Sequence, residues 1–239
     1  MQFEAVLFDL FDTLLLLEKD EAYYIPSLKK LHKFLVTNMI EASFEDFRRV
    51  YFEVRDSLYA ETAKTLEEPH FNVRVSRVLQ RFGYDFNALN PLVSGATEAF
   101  AEEFMRYVNL DDEALEVLRK LHGKYKLALV SNFAIPECVW KLLDKFGLKD
   151  FFDVILVSGE INKRKPSPEI FEKTLNALGV DASKAVFVGD TPGLDVKGAK
   201  NVGIKAILIE RRPMERTIDI KPDKVIKSLK ELLFVLKDS

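Results

Sequence analysis

Cysteine is nearly missing: Cys138 is the only one in 239 residues. That excludes an intramolecular disulfide and a metal site built from several thiolates. Cys138 stands in the helical pattern Glu137-Cys138-Val139-Trp140-Lys141-Leu142-Leu143, where a buried inert thiol is expected rather than a nucleophile. No apolar run is long enough to span a bilayer. No charged-then-apolar leader precedes the first apolar stretch. There is no excess of either charge, the net value being −3, and so no argument for nucleic acid or an anionic membrane as partner. The expectation is a soluble, cytoplasmic protein, either one large domain or a core with an insertion. Oligomeric state is not legible.

What the chain does have comes first in Phe3-Glu4-Ala5-Val6-Leu7-Phe8-Asp9-Leu10-Phe11-Asp12-Thr13-Leu14. A short apolar run ends abruptly in an acid. Such a run reads as a strand buried on both faces, as in a parallel sheet. Open α/β sheets bind ligands beyond the carboxyl ends of their strands, which is where Asp9 would stand. An Asp after a strand is also an ordinary turn residue, so the remaining strand ends decide its meaning.

From about Glu21 to Val108 the chain is rich in Glu, Lys, Arg, Leu, Phe and Tyr and poor in Gly. The apolar spacing predicts helices over 24–39, from a Ser43 cap onward, over 71–82 and over 98–107, with Gly83 closing the third. This is expected to be an all-helical insertion of bundle type. From Asp111 helices and strands alternate. Strands are expected over 126–130, 151–157, 185–188 and 205–209. Helices are expected from Asp111 to Leu121, over 137–146, from Pro168 behind a Ser167 cap, over 195–201 and over 225–236. Arg211-Arg212-Pro213 and Lys221-Pro222-Asp223 are loop signals. Such alternation builds a parallel sheet covered by helices on both faces.

Four strand ends then carry polar groups suited to one site: Asp9, Ser131-Asn132, Lys165 in the loop before Pro166, and Gly189-Asp190-Thr191-Pro192-Gly193-Leu194-Asp195. In this order and placement the chain resembles the haloacid dehalogenase-like superfamily of hydrolases. The resemblance covers residues 1–16 and about 110–239, and implies a Rossmann-like, doubly wound core there, with residues 17–109 as a helical cap. It also implies a magnesium-dependent phosphatase of small phosphate esters. Asp9 would be the nucleophile that forms an aspartyl-phosphate. Asp9, Asp190 and the Phe11 backbone carbonyl would hold Mg2+. Ser131, Asn132 and Lys165 would bind the phosphate, Ser131 and Lys165 also assisting the chemistry, with Thr13 and Asp195 behind them. Lys163 and Arg164 could compete with Lys165 for that role.

One position departs from the pattern. Phosphatases of the superfamily carry a second Asp, the acid–base group, where this chain has Phe11. Metal-free 2-haloacid dehalogenases have an aromatic residue there, but serines in place of Gly189-Asp190. Arg48 or Arg49 could supply their halide site. Phosphonoacetaldehyde hydrolases use a cap lysine instead, and nothing singles out Lys19, Lys29 or Lys30. A third reading is a phosphate-binding protein with little turnover. Tyr23, Tyr24, Arg48, Arg49, His70 and Arg74 are the candidate cap residues for substrate contact.

Overall fold

The structure is a computed structural model and describes residues 3–18, 20–211 and 220–237. Lys19 and the Arg212-Pro213 pair of the expected loop lie outside the described residues.

In chain order the elements are β1 (Ala5–Phe8), β2 (Leu15–Leu17), α1 (Asp20–Thr37), α2 (Phe44–Thr62), α3 (Phe71–Arg81), α4 (Pro91–Phe104), β3 (Val108–Leu110), α5 (Ala114–Leu121), β4 (Lys126–Ser131), α6 (Pro136–Lys145), β5 (Val154–Val157), α7 (Ser158–Ile161), α8 (Pro168–Leu178), β6 (Ala185–Gly189), α9 (Lys197–Asn201), β7 (Lys205–Ile209), β8 (Lys224–Ile226) and α10 (Leu229–Lys237). Six strands form a parallel sheet in the order β5-β4-β1-β6-β7-β8. The order puts β1 in the middle, with β4 on one side and β6 on the other. The chain runs outward from β1 to β4 and β5, then crosses back to β6 and runs outward the other way to β7 and β8, so the carboxyl end of β1 opens on the crevice at the switch point.

Successive strand residues face opposite sides of a sheet. Val6 and Phe8 accordingly join a core containing Leu118 of α5, Leu142 of α6 and Leu232 of α10. Ala5 and Leu7 join a second core with Phe171 of α8 and Ala199 of α9. All four residues of β1 are fully buried, which is why the strand reads as an unbroken apolar run.

Local sequence explains most boundaries. Ser43 caps α2, its hydroxyl accepting from the Asp46 N–H. Ser167 caps α8 ahead of Pro168, and Gly179 ends it at φ +63°, a left-handed conformation that only glycine adopts without strain. Four expectations need correction. The fourth helix begins at Pro91, not Glu98, because Asn90 caps it and Pro91 sets its first φ. The strand expected from Phe151 begins at Val154, because Lys149–Phe151 form a 3-10 turn. The closing helix begins at Leu229, because Lys224–Ile226 pair with β7. Asp223 fixes that pairing: its carboxylate accepts from the Ala206 N–H and its own N–H donates to the Ala206 carbonyl. Lastly, β2 and β3 form a two-stranded antiparallel ribbon that the sequence reading missed, with Leu15 opposite Leu110 and Leu17 opposite Val108. This ribbon carries both connections between the sheet and the helices α1–α4. None of the described helices is long and apolar enough to cross a membrane.

Candidate active site

The carboxyl ends of β1, β4 and β6 and the loop between α7 and α8 converge. Asp9 follows β1 directly, and its N–H donates to the Val188 carbonyl of β6 at 2.9 Å. Its side chain is nearly buried. Lys165, 1% exposed, donates from Nζ to Asp9 Oδ1 at 2.6 Å and lies 2.8 Å from Asp195 Oδ1. The second contact lies within ion-pair distance but off the donor direction, since Asp195 Oδ1 takes no hydrogen bond of good geometry. It is therefore Coulombic. Among the described residues nothing donates to Asp9 Oδ2, which leaves one carboxylate oxygen for other work.

Asp195 is placed by the turn after β6. Its Oδ2 accepts from the Thr191 N–H at 2.9 Å, and its own N–H donates to the Thr191 carbonyl at 2.8 Å. The glycine at 189 is needed here, because a Cβ at that position would collide with the Asp195 carboxylate. Asp190 stands beside it, with Thr191 Oγ1 donating to its Oδ1 at 3.3 Å. Asp9, Asp190 and Asp195 each offer an oxygen within 4.8 Å of the others.

Three carboxylates in so small a space oppose ionisation. Burial, foremost, pushes Asp9 up to about 8, with Asp195 and Asp190 adding to the rise and Lys165 working against it. Burial likewise pushes Asp190 up to about 6, with Asp195 and Asp12 contributing. A single ammonium does not neutralise this set. An oxygen-rich cluster short of positive charge fits a hard divalent cation, and Asp9 Oδ2, to which nothing among the described residues donates, supports that fit. Ser131 Oγ and Thr13 Oγ1 are also buried without a hydrogen-bond partner. Buried hydroxyls of that kind are rare, and Ser131 sits at the end of β4, beside β1.

Asn132, expected to bind substrate, lines a cavity with Phe11 and also holds the Lys165 loop. Its Oδ1 accepts from the Lys165 N–H at 2.7 Å and its Nδ2 donates to the Lys165 carbonyl at 3.0 Å. Its carboxamide is committed to holding the Lys165 loop. Lys163 and Arg164 do not compete with Lys165. Lys163 Nζ donates to the Thr65 carbonyl and Arg164 Nη1 to the Glu67 carbonyl, tying their loop to the segment after α2.

Phe11 is half-buried and packs on Phe133 at 5.0 Å and Phe104 at 5.7 Å between ring centroids. Asp12 behind it takes φ 53°, and its Oδ1 accepts from the Leu17 N–H at 3.2 Å. Arg211, which the sequence marked only as a loop residue, donates from Nη2 to the Thr13 carbonyl at 2.9 Å and to Asp111 Oδ2 at 2.7 Å. It clamps the loop after β1 to the end of β3. Its only signal in the sequence is a charge at the carboxyl end of a strand.

Of the cap candidates, Tyr23, Tyr24 and Arg74 line a cavity of about 290 Å³ together with Phe11 and Asn132. Arg48 and Arg49 are exposed on α2, paired with Glu45, Asp46 and Glu53. His70 caps α3 and contacts Glu137 at 3.1 Å. Lys29 and Lys30 are exposed on α1. A larger cavity of about 690 Å³ lies at the opposite end of the sheet, by Glu4, Lys126 and Asp153, away from these groups.

The family model of haloacid dehalogenase-like hydrolases matches residues 3–203. A glyceraldehyde 3-phosphate phosphatase of Methanopyrus kandleri is 30% identical over 98% of this chain and 97% of its own. A 2-haloacid dehalogenase from Pseudomonas syringae superposes with a TM-score of 0.79 at 26% identity, covering 99% of both chains. A haloacid dehalogenase-like phosphatase from Thermococcus onnurineus gives a TM-score of 0.66 at 28% identity, covering 99% and 98%. The chain is thus an enzyme with an α/β, Rossmann-like core, and it belongs to the haloacid dehalogenase-like hydrolases.

Proposed function

We propose that the protein is a magnesium-dependent phosphatase of small phosphate esters that acts through an aspartyl-phosphate on Asp9. The observation that carries this reading is the cluster of Asp9, Asp190 and Asp195 around a single buried lysine. Asp9, Asp190 and the Phe11 carbonyl would hold the ion, with Asp195 beside them. When bound, Mg2+ would neutralise the carboxylates and draw charge from the phosphoryl oxygens.

Lys165 holds Asp9 Oδ1, which leaves Oδ2 to attack phosphorus. The new bond joins Oδ2 to phosphorus, and the bond to the ester oxygen breaks. The unpartnered Ser131 hydroxyl is suited to donate to a phosphoryl oxygen where charge accumulates. Water then attacks phosphorus, inorganic phosphate leaves, and the Asp9 carboxylate is restored. Residues 1–16 and 110–239 would form the catalytic core, and 17–109 a cap that brings Tyr23, Tyr24 and Phe104 over Phe11. The phosphatase names of the relatives in Methanopyrus kandleri and Pyrococcus abyssi support the same chemistry.

A metal-free dehalogenase is the second reading, favoured by Phe11 and by the likeness to the Pseudomonas syringae protein. Asp190 weighs against it, and the exposed, paired Arg48 and Arg49 are not placed to serve as a halide site. A binding protein without turnover would keep the site and lack the covalent step. Acid-quenched mixing with p-nitrophenyl phosphate and Mg2+, followed by peptide mass analysis, tests the proposal. A phosphoryl adduct on the peptide containing Asp9, absent from Asp9→Asn, is expected. An active protein whose adduct lies elsewhere overturns the assignment.

A further inference from the structure

The cavity of about 290 Å³ beside Phe11 is walled mostly by aromatic rings, among them Tyr23, Tyr24, Phe71 and Phe104. Arg74 of α3 breaks that pattern. It is 9% exposed, and its Nη1 donates to Tyr51 Oη at 3.1 Å. Its Nε is buried with no partner, and among the described residues Nη2 makes no hydrogen bond either. Nε–H and Nη2–H share one edge of the guanidinium, the edge that forks onto a carboxylate. That edge has no acceptor from the protein.

Among the described residues no carboxylate pairs with it directly, although Glu68 is near enough to act on it through space. Burial pushes the Tyr51 phenol up, so its hydroxyl is neutral. Glu68 is the one carboxylate lining the cavity, and among the described residues it forms no ion pair with Arg74. Burial raises its pKa, while Arg164, then Arg74 and the Ser158 hydroxyl act against the rise. Rings of Phe71, Tyr59 and Tyr51 lie 5.0, 5.5 and 5.7 Å from the guanidinium carbon. Such contacts offset part of the lost hydration. They do not supply the acceptors that a buried guanidinium requires.

We propose that the free edge of Arg74 receives a carboxylate of the substrate, so that the preferred esters are small phosphomonoesters bearing a carboxylate group. The proposal rests on the phosphatase reading and narrows it. Phe11 and Asn132 line the cavity, and in the chain they follow Asp9 by two residues and Ser131 by one. A ligand in this cavity therefore has its phosphoryl end toward the carboxylate cluster and its other end toward Arg74. The cavity's size restricts it to a few heavy atoms between the two groups.

The test compares 2-phosphoglycolate with ethyl phosphate, which lacks the carboxylate, in the presence of Mg2+. Wild type is expected to favour phosphoglycolate by about tenfold or more in kcat/KM, the worth of one charge-assisted pair. In Arg74→Met that ratio should fall to about one or below, as only the lost pair sets it. Arg74→Lys should keep part of it, because charge remains and the fork is lost. Circular dichroism checks that each variant is folded. If the methionine variant fails to fold, the wild-type and lysine ratios decide. A wild type with no preference, or a folded Arg74→Met that retains it, overturns the proposal. Calorimetric titration with the same two compounds separates the two claims. A protein that hydrolyses no phosphate ester yet prefers phosphoglycolate contradicts the phosphatase reading and keeps the Arg74 site. One that hydrolyses both esters equally does the reverse.

Discussion

Lys165 Nζ lies 2.6 Å from Asp9 Oδ1, although the two residues stand 156 positions apart. The lysine is also the only positive group in contact with Asp195 among the described residues. Removing it leaves the buried Asp195 carboxylate without its cation and Asp9 Oδ1 without its donor. Breaking a buried ion pair in this way costs about 3–5 kcal/mol. Lys165→Met should therefore lower the denaturation midpoint strongly and abolish turnover, as chemical denaturation without metal will show. A loss near zero would mean that the carboxylates are already neutral or solvated, and that the lysine does not hold the site together.

Gly189 makes a second, sharper demand. A methyl group there meets the Asp195 carboxylate, which the Thr191 N–H holds in place. Overpacking of this kind costs about 1–3 kcal/mol. Gly189→Ala should lose activity out of proportion to that stability loss, because Lys165 and Asp9 are displaced with Asp195. Near-native kcat in a folded variant would show that Asp195 is not needed where it stands.

The core of this architecture could be read from the chain because each signal was local. The apolar run 5–8 ended in Asp9, Ser167-Pro168 opened a helix, and Gly179 closed it. The placement of Asp9, Ser131, Lys165 and Asp190 at or after strand ends was legible for the same reason. What escaped depended on contacts far apart in sequence. The Leu15–Leu17 strand has meaning only opposite Val108–Leu110, and Lys224–Ile226 becomes a strand only because Asp223 docks on Ala206. Arg74 was one of six equal cap candidates until folding surrounded it with rings and left its edge without an acceptor. The hold of Asn132 on the Lys165 backbone was not legible either, since no sequence pattern reports which backbone its amide will bind.

Phe11 carries the third prediction. It packs against Phe104 and Phe133, and leaves the usual acid–base position without a proton donor. General acid–base help is typically worth about 10²–10⁴-fold. Aryl and acyl phosphates should therefore be cleaved well and simple alkyl phosphates poorly, and slow hydrolysis of the aspartyl-phosphate should give a burst of p-nitrophenol. Phe11→Asp should raise turnover of alkyl esters more than of aryl ones, measured per folded molecule because the aromatic packing is lost. Equal wild-type rates on both, with no burst, would mean that another residue delivers the proton.

Motion should concentrate in the ribbon of Leu15–Leu17 and Val108–Leu110, which joins the sheet to α1–α4 and is clamped by Arg211 through Thr13 and Asp111. Closure over the site would exclude water during transfer. Hydrogen exchange at residues 15–17 and 108–110 should slow when Mg2+ and vanadate are added, and Arg211→Gln should speed it in the free protein. Exchange indifferent to both would argue for a site that works without closure.

Asp9 and Asp190 should act on phosphate with a metal rather than on a carbon–halogen bond without one. The direct measurement is a parallel assay of phosphate release from p-nitrophenyl phosphate and chloride release from 2-chloropropionate, each with Mg2+ and with EDTA. Phosphate release that EDTA abolishes and Mg2+ restores, and that Asp190→Ala shifts to higher metal concentration, is expected, with no chloride release. Chloride release that persists in EDTA, with no phosphate released under either condition, would contradict it.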